Sequence, residues 1–219
     1  MVKPAILLIG AGRWGFRHLK VLERLDYEGV CRLVGVVDTD SKTRSFLKEN
    51  SSANVFSDYS SLDSADAVDI VVPTYEHFGV AKLCLEAGKD IFVEKPLVQN
   101  VEEANELDML RKKTSKIVQV GHIFRYNPAT EYLKTLLLKK EIGDVRYIRG
   151  HFMAFREPEY DAGILATSAI HFIYVSNYLL GKMPKFVTAK TEQLLGLGLD
   201  DFAMLTLDYD SEFSIIDIE

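Results

Sequence analysis

The stretch Ile9-Gly-Ala-Gly-Arg-Trp-Gly15 sets Gly10, Gly12 and Gly15 at the spacing G-x-G-x-x-G. Each glycine has a separate physical use in a phosphate cradle. Gly10 permits a tight turn, Gly12 lets the main chain approach a pyrophosphate, and Gly15 allows a helix to pack closely on a strand. The helix start then offers N–H groups and a positive dipole end to the phosphates. Alone, the spacing equally describes a plain strand–helix turn. An acid at the end of the next strand is the second test. Asp38 follows Val34-Gly-Val-Val37 and lies where a carboxylate would accept the ribose hydroxyls of a dinucleotide and repel a 2′-phosphate. That favours NAD. Lys42 and Arg44 stand close enough to leave NADP open, and Asp38 or Asp40 would also serve simply as the cap of the following helix.

Two further stretches carry unusual residues after apolar runs: Val72-Pro-Thr-Tyr-Glu-His77 and Val93-Glu-Lys-Pro-Leu97. Ligands of open α/β sheets bind outside the carboxyl ends of the strands. The glycine loop, Asp38, Pro73-Thr74, Glu94-Lys95-Pro96 and Gly121-His122 are therefore expected to face one crevice. A lysine is ordinarily a solvated surface group, but Lys95 ends a buried apolar strand between an acid and a proline.

The elements that must position these residues alternate. Ala5 to Ile9, Leu33 to Val37, Val68 to Val72, Asp90 to Val93 and Lys116 to Val120 read as buried strands. Between them, Trp14 to Leu25, Ser41 to Glu49, Phe78 to Ala87 and Val101 to Lys113 read as helices, with Asp40 or Ser41 and Asn100 as caps. This predicts a Rossmann-type doubly wound parallel sheet over residues 1–121. From residue 122 the pattern changes. Pro128 to Lys140 and Ile164 to Leu180 read as helices. Asp144 to Phe155, Phe186 to Leu194, Phe202 to Tyr209 and Phe213 to Ile218 read as strands, with Asp208 to Glu212 as a hairpin turn. The expectation for 122–219 is an α+β domain with an open, mainly antiparallel sheet.

Composition narrows the function. The 219 residues carry a net charge of −6, and no basic patch suggests a nucleic-acid partner. The longest apolar runs are too short to span a bilayer, and the N-terminus lacks the order of a signal peptide. Cys31 and Cys84 sit in apolar patterns and read as reduced core residues of a cytoplasmic protein, not a disulfide or metal pair. No metal is expected.

Glycine loop, Pro73-Thr74 with His77, and above all Glu94-Lys95-Pro96 together resemble the Gfo/Idh/MocA family of oxidoreductases. The resemblance continues through Gly121-His-Ile-Phe-Arg-Tyr-Asn-Pro128, similar to a family G-x-x-x-R-[FY]-x-P segment, and through Ile142-Gly-Asp144. It implies reversible hydride transfer between a nicotinamide and a hydroxyl-bearing carbon of a sugar, cyclitol or related compound. Lys95 then matches the family lysine that hydrogen-bonds the reacting hydroxyl, and Glu94 would orient it. A lysine near a nicotinamide's positive charge has a lowered pKa, as a proton carrier needs. Arg13 and Trp14 are expected beside the cofactor phosphates and in the packing of the first helix, with Pro73, Thr74, His77, Glu94, Lys95 and Pro96 as further cofactor contacts. The substrate pocket is expected to draw on the loops at His77, His122, Arg125 and Tyr126, with Lys95, Thr167, His171 and Tyr174 as further substrate contacts. Arg125 suits an anionic or polyhydroxy group, or else is a surface arginine or a cofactor contact.

The sequence departs from the family at one helix. His171 matches the family histidine that acts as acid/base or binds substrate. The family aspartate one helical turn before it is Thr167 here, the residue after it is Phe172, and a further acidic position is Tyr174. Threonine can hydrogen-bond but cannot neutralise an imidazolium. Three readings stay open: a less charged site using His171 and Lys95, a share of the proton work for Tyr174, or a catalytically silent NAD(P)-binding sensor. The resemblance also implies further strands beyond Ile215-Ile-Asp-Ile-Glu219, so the chain is either a short member or a shortened one. Exposed apolar strands would need cover, which predicts a homodimer or homotetramer through the second sheet.

Overall fold

The computed structural model describes residues 3–153, 162–196 and 198–218. The chain divides into two compact units, Met1–Gly121 and His122–Glu219.

In the first unit β1 (Ala5–Ile9), α1 (Arg13–Tyr27), β2 (Arg32–Val37), α2 (Ser41–Asn50), β3 (Val55–Phe56), β4 (Ala67–Ile70), α3 (Thr74–Glu86), β5 (Asp90–Val93), α4 (Val101–Thr114) and β6 (Val118–Val120) follow in order. The strands form one sheet in the order β3-β2-β1-β4-β5-β6, with every pairing parallel. The chain order reverses between β1 and β4, the switch point at which such sheets bind ligands. Alternation along the strands supplies the two faces. Leu7, Ile9, Val68, Ile70, Ile91 and Val93 pack against Val80, Ala81, Cys84 and Leu85 of α3 and Leu107 of α4. Leu8 and Val36 pack against Leu19 and Leu22 of α1 and Leu47 of α2. Both faces are thus covered, which is why these strands read as nearly unbroken apolar runs.

Three features of this unit differ from the expected elements. β3 and a 3-10 turn at Tyr59–Ser64 lie between α2 and β4, in a polar stretch with no strand or helix period. β4 ends at Ile70, two residues short of Val72. The third helix begins at Thr74 instead of Phe78, with Pro73 at its N-cap and Glu76 in its first turn. A proline just before a helix, followed by an acid, is a start signal that outweighs the polarity of Thr74-Tyr-Glu-His77. Cys31 and Cys84 are both buried free thiols, and burial pushes Cys84 up to about 12.

The second unit holds α5 (Pro128–Leu138), β7 (Tyr147–Phe152), α6 (Ile170–Leu180), β8 (Phe186–Glu192), β9 (Phe202–Asp208) and β10 (Phe213–Ile218). Its sheet runs β7-β10-β9-β8. β10–β9 and β8–β9 are antiparallel, whereas β7 and β10 are parallel, so the sheet is mixed. The β9–β10 turn closes on a hydrogen bond from the Tyr209 N–H to the Glu212 carbonyl. The end of the expected strand Asp144 to Phe155 falls partly outside the described residues. α6 covers the sheet through Phe172, Ile173 and Leu180, which meet Leu205, Leu207, Ile216 and Ile218. The other sheet face leaves Tyr147, Phe186, Met204 and Phe213 exposed.

Candidate active site

The glycine loop leaves β1 with Gly10 at φ 89°, in the left-handed region. A side chain there would press on the main chain of Val71, its Cβ 2.5 Å from the carbonyl oxygen. A Cβ on Gly15 would overlap the Gly10 carbonyl, so α1 crosses its own loop at the closest approach a backbone permits. Gly12 is different: a Cβ there meets nothing within 4 Å. That open space, at the N-cap of a helix with no side-chain cap and no acid in its first turn, suits a pyrophosphate. Arg13 and Trp14 are exposed at this helix start. Trp14 is 45% exposed with the Arg17 guanidinium 4.4 Å above its ring, so it lies outside the packing of the first helix where it was expected.

Asp38 belongs to the same loop system. Its Oδ2 accepts the Ala11 N–H at 2.8 Å and its Oδ1 accepts the Asp40 N–H at 2.8 Å. A carboxylate has about four acceptor sites, so two bonds fix its orientation and leave capacity for ribose hydroxyls. The cap of α2 is Asp40, whose Oδ2 accepts the Thr43 N–H. Arg44 donates to the carbonyls of Asp38 and Thr39 at 2.9 and 2.7 Å, which ties its guanidinium to the main chain.

Past β4 and β5 the chain carries Pro73-Thr74 and Glu94-Lys95-Pro96. Thr74 is buried at the start of α3. His77, also buried, does not stand at the crevice rim; its Nδ1 is 2.7 Å from the Pro96 carbonyl oxygen and its Nε2 2.9 Å from that of Val72. It bridges the two loops. Glu94 Oε2 accepts the Lys95 N–H at 3.0 Å. Lys95 itself is half-buried.

One participant was not foreseen. His18 of α1 reaches both Asp69 of β4, Nδ1 to Oδ2 2.9 Å, and Glu94, Nε2 to Oε1 3.3 Å. Burial works to lower its pKa, yet hydrogen bonds and charge from Asp69 and Glu94 prevail and raise it to about 10. Burial pushes Asp69 up and His18 opposes it. The ring faces two carboxylates while Asp69 faces one cation, so the proton belongs on the ring. Burial also pushes Glu94 up, but His18, the Lys95 N–H and the Lys95 charge together hold it low. The signal was present in Val68-Asp-Ile-Val-Val72: an acid inside an apolar central strand needs a buried partner.

In the second unit, a 3-10 turn at Ile123–Tyr126 lies along α6. His122 stacks on Tyr174 at 4.0 Å, and Phe124 meets His171 edge-on at 5.1 Å. The short turn and α6 are thus joined by two ring pairs, His122 with Tyr174 and Phe124 with His171. Arg125 turns elsewhere. Its guanidinium pairs with Glu131 and lies 4.1 Å over the Tyr178 ring, while Tyr178 donates its hydroxyl to Glu131 at 2.9 Å. Tyr126 is exposed. Residues Leu165–Ala169 form a π-helical turn leading into α6, and the Thr167 hydroxyl donates to the Gly163 carbonyl at 3.1 Å. The acid serving this helix start is Asp200, whose Oδ2 accepts the Leu165 N–H at 2.9 Å.

A parallel sheet in this order, with a glycine-lined first crossover and an acid tied to it from the second strand, defines a Rossmann-type dinucleotide-binding unit. The profile of the oxidoreductase family with an NAD-binding Rossmann fold matches residues 5–122, and that of the GFO/IDH/MocA C-terminal domain matches residues 130–216. The chain belongs to the Gfo/Idh/MocA oxidoreductase family. It is 29% identical over 184 residues to the UDP-N-acetylglucosamine 3-dehydrogenase of Acidithiobacillus ferrooxidans, covering 83% of this chain and 56% of that one. It is 36% identical over 121 residues to the scyllo-inositol 2-dehydrogenase (NAD(+)) of Bacillus subtilis, covering 53% and 35%. The chain therefore spans little more than half the length of the first of these relatives and about a third of the second. Its fold matches that of the WlbA dehydrogenase of Chromobacterium violaceum, solved with NADH and UDP-GlcNAcA, at a TM-score of 0.88 and 22% identity, covering 99% and 67%. Among the described residues, no helix is long and apolar enough to cross a membrane.

Proposed function

We propose that the protein is an NAD-dependent dehydrogenase that oxidises a hydroxyl-bearing ring carbon of a sugar, cyclitol or related compound. The observation that carries this reading is Lys95 at the carboxyl edge of the sheet that also holds the open space over Gly12 and the fixed carboxylate of Asp38. The main chain on both sides of Lys95 is held, by Glu94 before it and by His77 at Pro96 after it. Asp38 favours NAD over NADP, and Arg44 is already engaged by carbonyls. Gly10, Gly12, Arg13, Gly15 and Asp38 would hold the dinucleotide, which when bound supplies the hydride acceptor. Lys95 in its neutral form takes the hydroxyl proton as the carbinol carbon becomes a carbonyl. In the second unit His122, His171 and Tyr174 are the candidates for substrate contacts. Arg125 acts through Glu131 and Tyr178 as a brace of that unit. The relatives' printed substrates, a nucleotide sugar and a cyclitol, set the class to try first.

The test is direct. The protein is mixed with NAD and a panel of sugars, nucleotide sugars and cyclitols, and the absorbance of reduced cofactor is followed. Turnover that Lys95→Ala abolishes is the expected result. Tight NAD binding without turnover on any compound refutes the reading in favour of a second, an NAD-binding sensor. That second reading draws on Thr167: its hydroxyl is directed to Gly163, and it puts no carboxylate one turn before His171.

The exposed face of the second sheet supports self-association. Tyr147 and Phe213 stack there at 5.5 Å, and Phe186 stands two strands away in the same row across Asp208. A homo-oligomer joined through this face would bury them.

A further inference from the structure

The glycine loop is fastened at Ala11, and the fastening is a carboxylate. Main-chain pairing of β1 to β2 runs up to the Gly10 N–H, which donates to the Val37 carbonyl at 2.9 Å. Gly10 then turns at φ 89°, and the next N–H, that of Ala11, goes to Asp38 Oδ2 at 2.8 Å instead of a carbonyl of β2. Ala11 is 4% exposed and belongs to the core cluster of Leu8, Leu19, Val36 and Leu47. The N–H of so buried a residue needs an acceptor, and the Asp38 side chain supplies it where the ladder ends. The other oxygen, Oδ1, accepts the Asp40 N–H at 2.8 Å, and Asp40 caps α2 through the Thr43 N–H. One side chain thus bridges the phosphate loop and the start of α2. Electrostatics runs against this arrangement. A carboxylate bonded to the loop that receives two phosphates repels them, and it occupies an N–H that they could use.

We propose that Asp38 is a positioning residue for the phosphate loop as well as the acceptor of the adenosine ribose: its carboxylate sets the main chain at Ala11, and so the approach over Gly12, ahead of cofactor binding. The proposal rests on the NAD-dependent reading above. Its physical gain is preorganisation. A loop already fixed loses less freedom when a pyrophosphate binds, and the repulsion is small because both carboxylate oxygens are turned to N–H groups. Gly12, the next residue, keeps the open side that the phosphates use. The two roles of Asp38 predict opposite signs. If it served the ribose alone, a ligand without ribose hydroxyls would bind equally well, or more tightly, once the anion is removed. If it also shapes the loop, that same ligand binds more weakly.

The test uses Asp38→Ala in the full chain, with ADP and 2′,3′-dideoxy-ADP as calorimetric probes. Both carry the two phosphates, and the dideoxy compound lacks both ribose hydroxyls. The parent's loss of affinity between the two probes measures the ribose contact by itself. In Asp38→Ala the Kd for the dideoxy compound is expected to rise at least about fivefold, the cost of ordering a loosened loop. An unchanged or lower Kd overturns the proposal and leaves Asp38 a ribose acceptor only. If Asp38→Ala does not fold, Asp38→Asn decides: it has one oxygen for two N–H groups, and about threefold weakening of the dideoxy compound is expected. An Asn variant that binds it like the parent overturns the proposal. Amide hydrogen exchange, read by NMR on the protein without cofactor, stands apart from binding. The Ala11 N–H is expected to exchange at least about tenfold faster in the variant, while that of Val36, inside the β2 ladder, keeps its rate. Equal Ala11 rates in parent and variant, or acceleration of both amides alike, overturn the proposal as absent or merely structural. If neither ADP nor NAD binds the parent, the NAD-dependent reading fails, and the Ala11 exchange rate still decides whether Asp38 fixes the loop.

Discussion

Gly12 and Gly15 differ by three positions in one loop, and the structure assigns them opposite liabilities. An alanine at Gly15 would bring its methyl into the Gly10 carbonyl, with the carbonyl carbon only 2.7 Å away and Val71 Cβ at 3.7 Å. An ordinary contact there needs 3.4 Å or more, so α1 or the loop must move by more than an ångström. Overpacking of this kind costs about 1–3 kcal/mol, and a backbone obstacle cannot swing aside as a side chain does. At about 3 °C per kcal/mol for a chain of this size, Gly15→Ala is expected to lower Tm by about 3–9 °C. An alanine at Gly12 meets nothing within 4 Å, and the residue's φ of −60° is open to any side chain. Replacing glycine without strain even adds about 0.4–1 kcal/mol through the unfolded chain. The same methyl, however, would occupy the space where the pyrophosphate must approach the main chain. Gly12→Ala should therefore keep or slightly raise Tm while weakening NAD by at least about a hundredfold, equivalent to about 2.7 kcal/mol. Thermal unfolding and calorimetry with NAD on the two variants settle it. A Gly12→Ala protein that binds NAD like the parent refutes the placement of the phosphates over Gly12.

Asp38→Ala removes the ribose acceptor and the anion that repels a 2′-phosphate. NAD is expected to weaken about tenfold or more, the size of a lost charge-assisted hydrogen bond, and the NADP-to-NAD affinity ratio measured by calorimetry should rise. His18 gives a pH-dependent stability signature. Its folded pKa of about 10 exceeds the ordinary 6.5, so its contribution is whole below pH 6.5 and is lost as pH rises through 10. Screening at this partly exposed ring reduces the gain to about 2 kcal/mol. Denaturant titrations should show the gap between parent and Glu94→Gln narrowing from pH 6 to pH 10; a constant gap contradicts the charge on the ring. For the second sheet, Phe213→Glu is expected to convert an associated species to monomer in sedimentation velocity, and a parent that is already monomeric at high concentration defeats the proposed interface.

How much of this was readable before the fold depends on whether the signal was local. The strand–helix alternation, the caps Asp40 and Asn100, and the β9–β10 hairpin come from short-range chemistry, and each appears as its residues imply. β3 was invisible because two residues carry no period, and its pairing with β2 is decided by the sheet. The parallel β7–β10 pair was hidden for the same reason: partners 66 residues apart, Tyr147 and Phe213, leave no mark in either segment. Side-chain destinations were harder still. Arg125 read as a substrate contact, a cofactor contact or a surface arginine, and the sequence did not show that Glu131, one turn into α5, and Tyr178 on α6 would engage its guanidinium.

The same absence of a local mark explains why His18 escaped notice while Lys95 did not. Lys95 advertises itself by standing where lysines rarely stand. His18 is unremarkable on a helix, and its meaning comes only from Asp69, an acid whose burial is tolerable solely with a cation beside it. Once sheet alternation sends Asp69 to the α1 side, a cation on α1 is required, and His18 supplies the one that bonds it. The buried acid was the legible half of the pair. From it the strand register leads to the histidine, the histidine to Glu94, and Glu94 to the main chain of Lys95. An apolar strand interrupted by a single carboxylate thus points, through three successive contacts, to the main chain of the residue on which the proposed chemistry turns.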